Sequence, residues 1–276
     1  MEKKPLFHFL PGTPILSLAT VGCNLHCANC QNWAISQANP EDVESVFLPP
    51  AAVVDLARRH HSPSVAFTYT EPLVFYEYTF DTFDLLREAG LRTVLITAGY
   101  LNRAPLQELF RRTDAVNIDL KFMSDQLYRQ VCDASLSPVL DAIRLARKMN
   151  VWLEVTHLVI PTLNDDDRQL RSVVRWVARE IGCDTPLHFL AFFPQYRMQH
   201  LPPTPSGTLE RAASLARTEG LRYVYVGNVL SERGQDTFCP ACGKAVVVRR
   251  RFAVAANHIV RGCCEYCGAS VAGIWN

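Results

Sequence analysis

The chain has 276 residues, of which 49% are apolar and 20% charged, with a formal net charge of +1. This length accommodates one large α/β barrel, alone or with a small appendage, and the apolar share is ample for a sizeable core. The near-neutral charge lacks the electrostatic footprint of a protein that binds nucleic acid or a membrane surface. The sequence shows no apolar run long enough to span a bilayer. Pro11, Gly12 and Pro14 interrupt the stretch after the charged start, unlike a secretory signal.

Short β-rich stretches alternate with amphipathic helical stretches from about residue 15 to residue 226. The predicted strands cover residues 15–19, 65–69, 92–97, 115–120, 152–160, 187–192 and 222–226. The predicted helices cover residues 75–89, 136–149, 166–181 and 206–219. Strict alternation predicts parallel strands with right-handed crossovers, in a partial or complete α/β barrel or an open doubly wound sheet. No glycine-rich dinucleotide fingerprint follows the first strand, which weighs against the open sheet and favours an α/β barrel, partial or complete.

Three cysteines follow the first predicted strand: Cys23, Cys27 and Cys30. Thiolates at this spacing can hold three irons of a four-iron cluster and leave the fourth iron without a local protein ligand. An open metal position is typical of a catalytic site rather than a structural one. The alternative is a zinc knuckle or a chance group of buried thiols. In α/β barrels the chemistry takes place on such β-to-α loops.

Polar residues stand at the ends of the next predicted strands. Thr70 and Glu71 follow the second strand, Thr97 ends the third, and Asp119 and Lys121 end the fourth. Each of them alone could be a helix cap or one half of a salt bridge. Because the C-terminal ends of barrel strands meet at one mouth, we expect these side chains to converge on one site.

Two C-x-x-C-G turns stand near the C-terminus, with a β-rich segment between them. Cys239 and Cys242 form the first turn, and Cys264 and Cys267 form the second. Two facing turns of this kind predict a tetrahedral four-sulfur site and a zinc-ribbon-like domain over residues 231–276, in which structural zinc supplies folding free energy. An iron site or a redox dithiol pair is the alternative. Cysteines grouped for metal binding, without a secretory signal, favour a cytoplasmic location.

Five short motifs occur in a fixed order beside these cysteines: Cys-Gln-Asn-Trp at 30–33, Phe-Thr-Tyr-Thr-Glu-Pro at 67–72, Asn-Ile-Asp-Leu-Lys at 117–121, Val-Ile-Pro at 159–161 and Phe-Pro-Gln-Tyr at 193–196. With the cysteine loop and the C-terminal turns, they resemble the radical S-adenosylmethionine (SAM) superfamily. Within it the chain is similar to the radical SAM enzyme of the AmmeMemoRadiSam system and to pyruvate formate-lyase activating enzyme. The likeness extends from about residue 3 to residue 275.

This resemblance implies an α/β fold with a partial (β/α)6-type TIM barrel over residues 1–230. It also implies a [4Fe–4S] cluster on Cys23, Cys27 and Cys30, and SAM as cofactor. Reductive cleavage of SAM would give a 5′-deoxyadenosyl radical that abstracts hydrogen from an unidentified substrate. The segment Tyr69, Thr70 and Glu71 occupies the place of the superfamily's Gly-Gly-Glu motif, which receives the methionine ammonium. An ammonium has three donors and no acceptor, which suits a carboxylate and backbone carbonyls.

The resemblance also assigns Asp119 and Lys121 to the cofactor, with Lys121 toward the methionine carboxylate. Asn29 stands where relatives carry an aromatic residue that meets the adenine, so it could hydrogen-bond but not stack. Phe193 stands where many relatives have His, and His157 or His188 is the alternative for that contact. The residues identify no catalytic residue for the substrate.

The implied partners are SAM, an electron donor such as a flavodoxin or ferredoxin, and a protein substrate, with a small molecule or a modified peptide as alternatives. A rival hypothesis makes the chain an iron–sulfur and zinc module that binds nucleic acid or protein without radical chemistry. In that case Arg249, Arg250 and Arg251 would grip the partner. The near-neutral charge argues against nucleic acid as a partner.

Overall fold

Seven parallel strands form one sheet in the computed structural model, which describes residues 1–229 and 234–276. The sheet follows chain order, from β1 to β7. The strands are β1 Leu16–Leu18, β2 Ser64–Phe67, β3 Arg92–Thr97, β4 Ala115–Asp119, β5 Trp152–Val159, β6 Leu187–Ala191 and β7 Val224–Gly227. All seven predicted strands are confirmed, each within two residues of its predicted bounds.

Helices connect these strands on the outside of the sheet. They are α1 Trp33–Ser36, α2 Pro50–Arg59, α3 Tyr76–Glu88, α4 Arg103–Phe110, α5 Asp125–Cys132, α6 Leu136–Lys148, α7 Asp167–Trp176 and α8 Ser206–Thr218. The chain thus makes six β/α units and a seventh strand. Within the described ranges β1 and β7 are not paired, so the sheet is open, as in a partial barrel. None of the helices described is long and apolar enough to cross a membrane.

The four predicted helices are confirmed as α3, α6, α7 and α8. The prediction for residues 166–181 joins two elements, because α7 ends at Trp176 and a π-helical turn, Val177–Ile181, continues it. Helices α1, α2, α4 and α5 were missed. They have four to ten residues, too few for a clear apolar period. Local signals existed: α2 begins at a proline, and Ser124 Oγ caps α5 by accepting the Leu127 N–H at 3.3 Å.

Residues 1–10, named here the N-terminal plug, fill the interior of the open barrel. Leu6 and Phe9 of the plug pack on Ala66, Val94 and Ala115, which are aligned side by side on β2, β3 and β4. Large apolar side chains therefore occupy the space that these small strand residues leave.

Polar contacts fix the position of the plug. The backbone N–H groups of Phe7 and His8 donate to the buried Glu154 carboxylate at 3.0 and 2.8 Å. The Asn117 side chain donates to the Pro5 carbonyl at 2.7 Å. Since Glu154 and Asn117 face each other on β5 and β4, the sheet itself sets the height of the plug in the barrel.

The C-terminal residues form two small antiparallel sheets that cover the plug. One contains β8 Thr237–Phe238, β9 Ala245–Arg250 and β10 Ala253–Asn257, and the other pairs β11 Ile259–Val260 with β12 Cys263–Cys264. Arg249 is 3% exposed and reaches from β9 to the Phe7 carbonyl at 2.6 Å and to Glu2 at 3.5 Å. The predicted domain boundary, between residues 230 and 231, lies outside the described residues.

Candidate active site

A cavity of about 290 Å³ lies at the C-terminal ends of the barrel strands. The nine residues assigned to the cluster or to SAM all line it, whereas Phe193 does not. The nine are Cys23, Asn29, Cys27, Cys30, Tyr69, Thr70, Glu71, Asp119 and Lys121. Thr97, Thr156, Leu158 and Leu190 complete the wall from β3, β5 and β6. The expected convergence of strand-end side chains on one mouth is observed, because parallel strands bring these ends to the same side of the sheet.

The cysteine loop is held from two neighbouring elements. The N–H groups of His26 and Ala28 donate to the carbonyls of Cys132 and Val131, at the end of α5, at 3.0 and 2.8 Å. From the loop after β6, the Arg197 N–H donates to the Ala28 carbonyl at 3.0 Å. Helix C-terminal carbonyls lack partners within their own helix, so α5 is well suited to bind the loop.

The loop thiols are wholly or partly buried, Cys27 more than Cys23 and Cys30. Burial raises the pKa of Cys23 to about 12, and the neighbouring Glu71 carboxylate acts in the same direction. The Leu25 N–H donates to Cys23 Sγ at 3.4 Å, and Cys30 Sγ lies 3.1 Å from Ser36 Oγ. A thiol with a raised pKa is protonated and neutral at pH 7. Cys23 would therefore lose its proton, and become a thiolate ligand, when a metal binds.

The three loop sulfurs are not gathered tightly enough for one ion. Across residues 1–229 and 234–276, the one group of three or more ligand atoms within 4.8 Å of each other is at the C-terminus. A four-iron cluster assigns a different iron to each cysteine, which requires wider spacing than a single ion does. The described loop therefore lacks the close set of ligands that the alternative, a zinc knuckle, requires.

Glu71 is buried at the end of β2, where its carboxylate receives three donors. They are the Leu73 N–H at 3.2 Å, the Thr97 hydroxyl at 2.5 Å and the Ala98 N–H at 2.7 Å. Glu71 also caps the start of a short 3-10 turn. The alternative role of a helix cap is therefore observed as well. A carboxylate offers about four acceptor positions, so one position remains for a cofactor ammonium. Burial raises the pKa of Glu71 to about 6 despite these donors.

Tyr69 has an unusual backbone conformation for a residue with a side chain. Its φ is +72°, and the Thr70 N–H donates across it to the Thr68 carbonyl at 3.0 Å. A three-residue turn with a positive central φ is rare and strained. The Asn32 side chain donates to the Tyr69 carbonyl at 2.8 Å and holds the turn against the cysteine loop. Strain of this kind concentrates at functional sites, and glycine is the residue that best tolerates such a φ.

Asp119 and Lys121 form an ion pair at the end of β4. Lys121 Nζ lies 3.2 Å from Asp119 Oδ2, and the Lys121 backbone N–H donates to the Tyr128 hydroxyl at 3.0 Å. Burial alone lowers the pKa of Lys121, but Asp119 and the thiols of Cys27 and Cys132 outweigh it and raise that pKa. The predicted alternative, a mutual salt bridge, is therefore present, on two residues that also line the cavity.

Unpartnered polar atoms concentrate on the cavity lining. In the part of the chain that the structure describes, four buried side-chain atoms have no hydrogen-bond partner. Three of them belong to lining residues: Lys4 Nζ, Asn29 Oδ1 and Thr70 Oγ1. Buried polar groups are almost always hydrogen-bonded, so three exceptions around one cavity fit a site built for a polar ligand. SAM, with its ammonium, carboxylate, ribose and adenine, is such a ligand.

The two histidines proposed in place of Phe193 do not line the cavity. His157 Nδ1 lies 2.6 Å from the Leu120 carbonyl, and His188 Nε2 lies 2.6 Å from Glu154. Both are buried in the sheet and satisfied there. Sequence analysis also missed lining residues that come from other elements, among them Lys3 and Lys4 of the plug and Thr156 of β5. No local pattern marks them, because it is the fold of the barrel that brings the plug and β5 beside the cysteine loop.

The four C-terminal sulfurs lie within 4.8 Å of one another. Cys239 Sγ is 3.6 Å from Cys267 Sγ, and Cys242 Sγ is 3.8 Å from Cys264 Sγ. Four sulfurs in a tetrahedron at a metal–sulfur distance of about 2.3 Å are about 3.8 Å apart, so the observed distances fit one tetrahedral metal ion. Cys263 is outside this group.

Arg249 weakens the rival hypothesis of a nucleic-acid or protein module. It is buried and bonded to Gln235, Thr237 and the plug. Its guanidinium therefore makes contacts within the chain and is not available to a partner. Of the three arginines in the rival hypothesis, Arg250 and Arg251 remain for such a contact.

One family model, several curated proteins and several solved structures match this chain. Residues 17–172 match the model of the Radical SAM superfamily. An uncharacterized protein of Methanocaldococcus jannaschii is 46% identical over 91% of this chain and 75% of its own length. Pyruvate formate-lyase 1-activating enzyme of Escherichia coli is 22% identical over 74% of this chain and 89% of its own. SuiB of Streptococcus suis, bound to precursor peptide SuiA, superposes with a TM-score of 0.62 at 12% identity, over 82% of this chain and 51% of SuiB. The chain therefore belongs to the Radical SAM superfamily and is an enzyme similar to the pyruvate formate-lyase activating enzymes.

Proposed function

We propose that this enzyme holds a [4Fe–4S] cluster on Cys23, Cys27 and Cys30 and binds SAM in the adjoining cavity. Membership of the superfamily supports radical chemistry with an iron–sulfur cluster and SAM. The reduced cluster would supply the electron that cleaves SAM to methionine and a 5′-deoxyadenosyl radical, which takes hydrogen from the substrate. The observation that carries the proposal is the cavity itself, which joins all nine predicted residues.

Each group of residues would have a separate task. The cysteines bind three irons, and the remaining acceptor position of Glu71 receives the methionine ammonium. Lys121 has a raised pKa and stays charged, so it can pair with the methionine carboxylate while Asp119 neutralises the excess charge. Asn29 and Thr70 have unpartnered buried atoms that suit the polar groups of the nucleoside. Leu158 and Leu190 present an apolar wall that excludes water from a reactive centre.

We assign structural zinc to Cys239, Cys242, Cys264 and Cys267, in a zinc-ribbon-like domain over residues 231–276. The sulfur–sulfur distances support a single tetrahedral ion. A region with two short sheets has a small core, so metal binding would supply much of its folding free energy. Its contacts with the plug link it to the barrel.

A protein or peptide is the substrate class favoured by the relatives. The activating enzymes are named for a protein target, and SuiB was solved with a precursor peptide. A flavodoxin or ferredoxin would deliver the electron.

Anaerobic reconstitution with iron and sulfide, reduction by dithionite and addition of SAM test the proposal. We expect about four irons per barrel site and release of 5′-deoxyadenosine. The variant Cys27→Ala should release none, whereas Cys183→Ala, which removes a cysteine outside both groups, should match the wild type. A fully loaded protein that leaves SAM intact would contradict the assignment.

A further inference from the structure

Lys4 is a buried lysine without a hydrogen-bond partner. It is 3% exposed, and its Nζ forms no hydrogen bond within the described residues. The ammonium instead lies over the ring of Tyr69, 3.8 Å from the ring centroid. Burial lowers the pKa of Lys4, and Tyr69 offsets part of that effect. A buried ammonium has three donors, so a π-face alone leaves it poorly compensated.

The backbone around Lys4 is firmly fixed. The Lys4 N–H donates to the Met1 carbonyl at 2.8 Å, and the next carbonyl, of Pro5, accepts from Asn117 at 2.7 Å. Two residues further on, Phe7 is anchored to Glu154. The plug therefore cannot relieve the buried charge by a small backbone shift. The fixed backbone keeps the Lys4 ammonium buried at an energetic cost. This is expected where a ligand binds the ammonium.

The charged side chains of the cavity lie at its two ends. At the cluster end, Lys121 is paired with Asp119, and its charge also acts on Cys27. The other end, here called the plug end, is formed by Lys3, Lys4 and Tyr69. There Tyr69 raises the pKa of Lys4, and the charge of Lys3, which has the same sign, lowers it. At the cluster end Asp119 balances the charge of Lys121, whereas the plug end has excess positive charge.

We propose that Lys4 binds an oxyanion, a carboxylate or phosphate group, that belongs to the substrate. This inference rests on the proposed function, which places methionine at the cluster end. The substrate must then approach from another side, and the plug end lies in the same cavity. Lys3, which is exposed, adds long-range attraction for such a group. The methionine carboxylate of SAM is the other source of the same chemistry.

Tyr69 would act as a cover for this site. It is 49% exposed, so its ring can leave the ammonium when an oxyanion arrives. The exchange replaces a cation–π contact by a charge-assisted hydrogen bond, which is the stronger of the two.

Fluorine NMR of the reconstituted protein, labelled with 3-fluorotyrosine and saturated with SAM, tests the inference. The Tyr69 resonance is assigned by its loss in Tyr69→Phe. Titration with acetate and with inorganic phosphate, at constant ionic strength, should shift it saturably for at least one anion. Lys4→Met should raise the apparent Kd for that anion at least tenfold, and Lys3→Met, the matched control, by less than threefold. A Tyr69 signal that responds to neither anion, or responds equally in Lys4→Met, overturns the inference.

Two further readouts separate the remaining explanations. The Kd of SAM for Lys4→Met should stay within twofold of the wild-type value, whereas a tenfold increase would assign the oxyanion to the cofactor and overturn the substrate assignment. Because the variant loses an uncompensated buried charge, its Tm should equal or exceed that of the wild type, and a lower Tm would make Lys4 a scaffold residue. Failure of the proposed function would appear instead as absent 5′-deoxyadenosine in the wild type.

Discussion

The loop after β1 and the C-terminal turns both gather cysteines, but in different numbers and at different spacings. The C-terminal turns bring four sulfurs within 4.8 Å, at distances that fit one tetrahedral ion. The loop supplies three sulfurs, which are not grouped for a single ion and which line a cavity with unpartnered polar atoms. A closed set of ligands holds a structure together, whereas an incomplete set beside a cavity leaves a metal position for chemistry.

The two sites also differ in what surrounds them. Two of the four C-terminal cysteines are exposed, and the site is bordered by β-turns. The loop site is surrounded by strand ends that carry Glu71, Asp119 and Lys121. The reactivity of a cysteine site therefore depends on the neighbouring side chains as much as on the sulfurs themselves.

Removal of a loop cysteine should have the largest effect on activity. Cys23→Ala, Cys27→Ala or Cys30→Ala should reduce 5′-deoxyadenosine release below detection, because two thiolates cannot hold the cluster stably. The measurement is product release with iron analysis of the same sample. Zinc content should be unchanged. A variant that keeps both its iron and its activity would contradict the catalytic role of the loop cysteines.

Removal of a C-terminal cysteine should instead reduce stability. Cys239→Ser or Cys264→Ser should release zinc and lower the Tm by about 10 °C, since loss of a structural metal costs several kcal/mol and each kcal/mol shifts the Tm of a chain this size by about 2–4 °C. Calorimetry and zinc analysis check this. Cys263→Ser is the matched control, with an adjacent thiol outside the group. An unchanged zinc-to-protein ratio in the test variants would contradict the zinc assignment.

Lys121→Ala should separate cofactor binding from cluster binding. The loss of a charge-assisted contact of about 1.5–3 kcal/mol predicts a SAM affinity about 10- to 100-fold weaker, with iron content intact. Equilibrium binding to the reconstituted protein checks this. If iron and SAM binding were lost together, Lys121 would belong to the scaffold of the loop.

The pH dependence of SAM binding should show the titration of Glu71. Its pKa is raised to about 6, so the carboxylate that accepts the ammonium is present above pH 6 and lost as pH falls through 6. We expect about tenfold weaker binding at pH 5 than at pH 7. Glu71→Gln should bind more weakly and show a flat profile. A wild-type profile that is equally flat would remove Glu71 from the ammonium site.

The sequence predicted the parts of this fold that depend on local periodicity. The seven strands and the long helices have clear patterns, and strand-end residues such as Glu71 and Asp119 could be placed at one mouth because parallel strands align their C-terminal ends. The tertiary interior was not predictable in this way. That Arg249 would be buried, and that Lys4 would reach the cavity, depends on contacts between residues more than 100 positions apart along the chain.

Mössbauer spectroscopy of protein reconstituted with ⁵⁷Fe tests the open metal position most directly. Spectra would be recorded for the oxidised cluster with and without SAM. If three cysteines leave one iron open, SAM should change the parameters of one iron in four and leave the other three unchanged. Four irons that all keep the same parameters when SAM is added would contradict an open position, and with it the proposed chemistry.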